Sequence, residues 1–244
     1  MEDYVTYPEP LIPPPETRLT LPLAKPVLTY VLIAVNVLIY LLTLLTGDLL
    51  YILGALIPVL AFEYGQWWRL LSAAFLHAGL MHIAFNMYAL YVLGRRLEQL
   101  FGTARFALIY GLALLGGSVF VMLFARWDSL GVGASGAILG LLGALVSYFW
   151  HYQKYLHDGR QQLWDLVSNA LINLAIGFLP QVSLWAHLGG FAVGALVGWL
   201  LLPRYRLRDY QLQREPLPSA IWSRLALVLL GLLVSLPLAM LWRR

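Results

Sequence analysis

Long apolar runs separated by short polar stretches set the pattern of this chain. Seven runs predict helices, at approximately 27–46, 79–94, 104–125, 133–150, 163–179, 185–202 and 220–242. Each approaches the ~20 apolar residues that cross a bilayer, the second, fifth and sixth being short. The expected fold class is all-α, a polytopic membrane helix bundle. Residues 47–78 break the pattern, for they are too apolar for an ordinary loop while Gly54, Pro58 and Gly65 interrupt any long helix. Tyr51, Phe62, Tyr64, Trp67 and Trp68 sit well at headgroup level, so this stretch is expected to lie in the outer interface.

Composition agrees with that reading. Apolar residues make up 61% and charged residues 11%, against roughly 25% charged in soluble domains. The net charge of +4 lies scattered in short loops, which excludes a nucleic-acid module. With no cysteine there is no disulfide, thiolate metal site or cysteine nucleophile. Placing the amino terminus inside puts twelve basic residues on the cytoplasmic side, among them Arg95, Arg96, Arg204, Arg206 and Arg208. Four then lie outside: Arg69, Arg126, Arg243 and Arg244. The carboxyl terminus is therefore expected outside. Residues 1–26 hold seven of the thirteen prolines and read as an extended cytoplasmic tail without the pattern of a secretory signal. Residues 27–202 form a six-span core, and 203–244 a basic linker with a seventh helix.

Polar side chains inside spans are costly, so each needs a reason. Ser135 opens the fourth run within Gly133-Ala134-Ser135-Gly136-Ala137, and His187 stands just inside the sixth. A lone serine in such a helix usually bonds back to a carbonyl one turn earlier, and Ala137 breaks the G-x-S-x-G elbow. Both helices, however, carry strips of glycine: Gly136, Gly140 and Gly143 on one, Gly190 and Gly194 on the face of His187 on the other. Strips of this kind allow close backbone approach, which would bring a hydroxyl and an imidazole within reach. His82 and Asn86 share a face of the second run. They can hold a developing oxyanion or serve as interhelical hydrogen-bonding groups. The start of the serine helix adds unpaired N–H groups. No acid completes a triad, the nearest being Asp128 and Asp165, so a serine–histidine dyad is the reading. His77, His82 and His187 could be gathered round a metal, but no H-E-x-x-H or acid ligand joins them.

The chain resembles the rhomboid intramembrane serine proteases. The matching pieces are Trp68-Arg69, His77-x4-His82-x3-Asn86, Gly133-Ala134-Ser135-Gly136, and Ala186-His187-Leu188-Gly189-Gly190 with Gly194, in the family's order across about residues 27–202. The resemblance implies a rhomboid-like six-helix core plus one carboxyl-terminal helix, with Ser135 as nucleophile and His187 as general base. His82, Asn86 and the N–H of Ser135 would form the oxyanion hole. Trp68 and Arg69 would brace the interfacial loop, while Gly136, Gly190 and Gly194 would join the two catalytic helices. Many members carry an aromatic residue four places after the serine, stacked on the histidine; here it is Leu139, which leaves the histidine to aliphatic neighbours.

The resemblance also implies single-pass membrane proteins as substrates, cut near the outer face, with the bilayer as partner and no cofactor, metal or nucleic acid. The fifth run, loosened by Asp165, Ser168, Asn169, Asn173, Gly177 and Pro180, reads as a lateral gate. A prokaryotic plasma membrane is the expected home; the oligomeric state is open. An inactive binding relative would usually lack the serine or histidine. A small transporter would show an internal repeat and intramembrane charge, and neither is visible.

Overall fold

The computed structural model describes residues 20–179, 182–208 and 211–243. Most of the proline-rich tail (Pro13 to Pro15 included) and Pro180 lie outside them. Helices occupy all seven predicted segments. The first is α1 (Val27–Thr46), whose start is tied down by a buried acid: the N–H groups of Leu28 and Thr29 donate to the Glu98 carboxylate at 3.0 and 2.8 Å. The first four N–H groups of any α-helix lack intrahelical partners, and here a charge-assisted acceptor meets two of them.

The segment after α1 folds into α2 (Leu49–Gly54), α3 (Pro58–Tyr64), α4 (Arg69–Ser72) and a 3₁₀ turn at Ala73–Phe75. The breaks follow local chemistry. Pro58 takes the first turn of α3, where a missing N–H costs nothing. Gly65 ends that helix at φ 67, a conformation that favours glycine. The side chains of α4 then close the end of α2. Arg69 Nη1 donates to Ala55 O and Nη2 to Ile52 O, both at 2.6 Å; Trp68 Nε1 donates to Leu53 O at 3.0 Å and Ser72 Oγ to Gly54 O at 2.8 Å. An unmet buried carbonyl costs roughly 1–3 kcal/mol, so this set is what permits a helix to end here.

Helix α5 (Leu80–Ala89), a π turn (Leu90–Gly94) and α6 (Arg95–Phe101) run on from one another, bent 95° from the Arg69–Phe75 segment. The predicted end at residue 94 was too early. Arg95 and Arg96 do not stop the helix, because their guanidinium groups lie over the rings of Tyr91 and Phe149 at 4.6 and 4.5 Å.

The centre of the bundle is α7 (Thr103–Phe124), α8 (Ser135–Tyr152) and α10 (Leu184–Leu200), with α9 (Gly159–Ile176) against α8 and α11 (Ile221–Arg243) against α7. Helices α8 and α10 meet backbone to backbone. An ideal Cβ on Gly190 would lie 1.9 Å from Gly136 O, and one on Gly194 would lie 2.2 Å from Gly140 Cα. No side chain fits between them.

Among the described residues three helices, α1, α7 and α11, are long and apolar enough to cross a membrane, and four if the bent α4–α6 segment is one span. This is a multi-pass membrane protein. The count falls short of seven for a physical reason. Helix α10 is apolar but only 17 residues long, α8 spends its last turn on Trp150-His151-Tyr152, and α9 carries polar residues along its length, so none is by itself long and apolar enough. The helical expectation holds for most of the chain, and the predicted linker adds a short hairpin, β1 (Tyr205–Arg208) paired antiparallel with β2 (Gln211–Arg214). Leu207 faces Leu212 across it, a period-2 pattern too short to stand out in sequence.

Candidate active site

Ser135 is the first residue of α8, entered through Gly131 to Ala134. That approach is pinned to the segment between α1 and α5: Leu56 and Gly131 exchange backbone hydrogen bonds at 2.9 and 2.8 Å, and Gly133 N–H donates to Ala73 O at 2.9 Å. The Arg69 brace thus reaches the serine through backbone alone, from Ala55 to Leu56 to Gly131. At the helix start no acceptor among the described residues takes the N–H of Ser135, as expected of a first-turn donor.

His187 is in the first turn of α10, where its N–H donates to Ser183 O at 3.1 Å and Ser183 Oγ accepts from Ala186 N–H at 3.2 Å. The ring is buried. Its Nδ1 is 3.1 Å from Asn173 O, a carbonyl acceptor, so Nδ1 carries the proton and Nε2 the lone pair. Nε2 has no hydrogen-bond partner among the described residues. Ser135 and His187 are therefore not hydrogen-bonded to each other here. They flank the close contact of Gly136 with Ala186 and Gly190, and both line one cavity of about 980 Å³. Catalytic hydrogen bonds are often open until substrate is bound.

His82 and Asn86 line the same cavity. His82 Nδ1 accepts from Ala78 N–H at 3.4 Å, which leaves Nε2 as the donor, facing Gly133. Asn86 Nδ2 donates back to His82 O at 3.0 Å, so one of its N–H groups is engaged within its own helix. His77 is fully buried with its ring edge-on to His82, centroids 5.2 Å apart, and so supports that side chain's orientation. Gly133 has φ +119, and an ideal Cβ there would be 2.7 Å from His82 Nε2. The space between the two helix starts exists because residue 133 has no side chain.

Neither nearby acid turns to the histidine. Asp128 pairs with Arg126 at 3.1 Å in an exposed loop, and that hydrogen bond holds its carboxyl below the usual carboxylate range. Asp165 accepts from Gln161 Nε2 at 2.8 Å. Two roles were missed in the sequence, that of Glu98 and that of Asn173, which was read only as loosening the fifth run. Glu98 left a signal, an acid between Gly94 and Gly102 at the end of an apolar run. Asn173 left none, because the group that matters is its backbone carbonyl.

The domain model of the Rhomboid family matches residues 64–204. RHOMBOID-like protein 6, mitochondrial, of Arabidopsis thaliana is 41% identical over 150 residues, 62% of this chain and 48% of that protein. Rhomboid protease GluP of Bacillus subtilis (strain 168) is 36% identical over 176 residues, 70% of this chain and 34% of that protein. Inactive RHOMBOID-like protein 8 of Arabidopsis thaliana is 36% identical over 147 residues, 60% of this chain and 42% of that protein. The chain spans about half or less of the length of these relatives, and their sources do not single out a prokaryotic membrane. The matched stretch runs from the end of α3 past α10 and holds every residue of the cavity described above except Leu56. The chain belongs to the rhomboid family.

Proposed function

We propose that this protein is an intramembrane serine endopeptidase acting through a dyad of Ser135 and His187. The observation that carries the reading is the bare, buried Nε2 of His187 opening on the cavity that Ser135 also lines. In the reaction, Ser135 Oγ attacks the scissile carbonyl carbon and its proton passes to His187 Nε2. The tetrahedral oxyanion accepts hydrogen bonds from His82 Nε2–H, a free N–H of Asn86 and the N–H of Ser135. Collapse breaks the C–N bond, and the imidazolium returns its proton to the leaving amine. Water, deprotonated by the same Nε2, then hydrolyses the acyl-enzyme. Gly136, Gly190 and Gly194 hold the two helices at the required distance, and Trp68 and Arg69 brace the loop that carries the oxyanion side.

The proposed setting is six spans plus one, amino terminus inside and carboxyl terminus outside, with residues 47–78 in the outer interface. Substrates are single-pass membrane proteins that unwind near that face. The cavity lining includes Met81, Phe85 and Tyr88 of α5 and Asn169, Asn173 and Ile176 of α9, which favours lateral admission between these helices. The chain has no cysteine, so a Phe85→Cys, Ile176→Cys pair can be bridged with a reducible cross-linker. Cleavage should stop and return on reduction; cleavage that continues while bridged refutes the gate.

The central test mixes the full chain in liposomes with a single-span reporter. Wild type should release a fragment, while Ser135→Ala and His187→Ala should not. A wild type that binds the reporter without cutting would make this an inactive, helix-binding relative.

A further inference from the structure

Among the described residues no acid and no aromatic ring pairs with the base of the proposed dyad, and the residue four places after Ser135 is Leu139. What the base has is the end of α9. Asn173 O lies 3.1 Å from His187 Nδ1. That carbonyl belongs to the last turn, where the hydrogen bonds tighten: Gly177 N–H reaches Asn173 O at only 3.3 Å while also meeting Leu174 O at 3.1 Å, and Phe178 and Leu179 bond three residues back. The last four carbonyls of a helix lack full partners. Asn173 O is thus under-used within its own helix and directed at the imidazole. The amide side chain of Asn173 is occupied elsewhere, with Nδ2 donating to Asn169 O and Oδ1 at 2.9 and 2.8 Å. The backbone carbonyl is the functional atom.

The electrostatic setting is specific. His187 sits at the start of α10, where the helix dipole disfavours a cation. The end of α9 presents the opposite pole beside the same ring. Gly177 permits this approach, since an ideal Cβ there would be 3.0 Å from Leu184 Cα at the beginning of α10.

We propose that the Asn173 carbonyl is the positioning group of the dyad, in the place an aspartate takes in a triad. It rests on the reading of Ser135 and His187 as nucleophile and base. The carbonyl holds His187 as the Nδ1–H tautomer, so that Nε2 receives the Ser135 proton, and it shares the charge of the imidazolium that forms. The Nδ1 proton stays on Nδ1 throughout. Because α9 also lines the lateral opening, the base is aligned only when that helix is seated.

Replacing Leu174 by its α-hydroxy analogue in the full chain turns the amide after Asn173 into an ester, whose carbonyl is a weaker acceptor. The same change at Leu171 weakens the Ala170 carbonyl and costs α9 an equivalent backbone bond without touching the histidine. The Leu174 ester should lower kcat by about tenfold with KM unchanged, as expected for a weakened hydrogen bond to a charged group. The Leu171 ester should stay near wild type. Equal losses in both esters overturn the proposal and leave the dyad intact, since Ser135→Ala and His187→Ala report on the dyad separately. A second readout needs no activity: ¹⁵N-histidine NMR of wild type, with His187 assigned by its loss in His187→Gln, should show the proton on Nδ1. A proton on Nε2 overturns the proposal.

Discussion

Gly190→Ala should separate α8 from α10 and lower reporter cleavage by about 10²-fold or more. The new methyl would stand 1.9 Å from Gly136 O, 2.6 Å from Gly136 C and 3.0 Å from Gly136 Cα. All three atoms are backbone, so no rotamer change relieves the clash and the helices must move apart. Overpacking of this kind typically costs ~1–3 kcal/mol, occasionally more, and a misplacement of about 1 Å at a reacting pair costs on the order of 10²-fold. Because Gly136 adjoins Ser135 and Gly190 lies one turn beyond His187, one methyl should lower both stability and rate. Gly231→Ala in α11 is the matched control, since a Cβ there meets nothing within 4 Å. It should cost no stability. Unfolding in detergent and kcat/KM on the reporter check both variants, and wild-type behaviour from Gly190→Ala would remove the helix contact from the account.

Gly133→Ala should act differently, reducing kcat by ~10²–10³-fold while leaving the bundle assembled. Residue 133 lies in the approach to α8, outside the helix contacts. Its φ of +119 is strained for alanine, and the methyl would fall 2.7 Å from His82 Nε2 and 2.8 Å from Cε1. It therefore fills the space proposed for the oxyanion and displaces the donor at once. The discriminating measurement is the ratio of effects: a large fall in kcat beside a loss of stability of roughly 1–3 kcal/mol from backbone strain. A Gly133→Ala variant that cleaves at the wild-type rate would exclude His82 as an oxyanion donor.

Much of this architecture was legible before any coordinates. The apolar runs mark the long helices because the bilayer demands length and continuity of a span. Gly54, Pro58 and Gly65 mark the breaks of the segment between α1 and α5 because their backbone limits act locally. The glycine strips on the runs holding Ser135 and His187 point to a close helix pair, since membrane helices gain contact by shedding side chains. Where the reading erred, neighbours distant in sequence had overruled the local rule. Arg95 and Arg96 look like a helix end until Tyr91 and Phe149 offer their ring faces. Glu98 drew no reading of its own, because its role depends on the start of α1 arriving to be capped.

The sequence by itself determined which segments are helical, where the stretch between α1 and α5 breaks, and which residue types meet at the glycine surfaces. Those follow from hydrophobic periodicity and backbone stereochemistry, both local properties. Only the tertiary structure decided what each polar side chain holds. Arg69 closes α2 on carbonyls that carry no mark in the chain, Gly133 leaves an open space against His82, and Asn173 O accepts the hydrogen bond of His187 Nδ1–H. Backbone carbonyls are present at every residue, so their selection as partners depends on where helices end and which ends face one another. That is set by how the bundle closes.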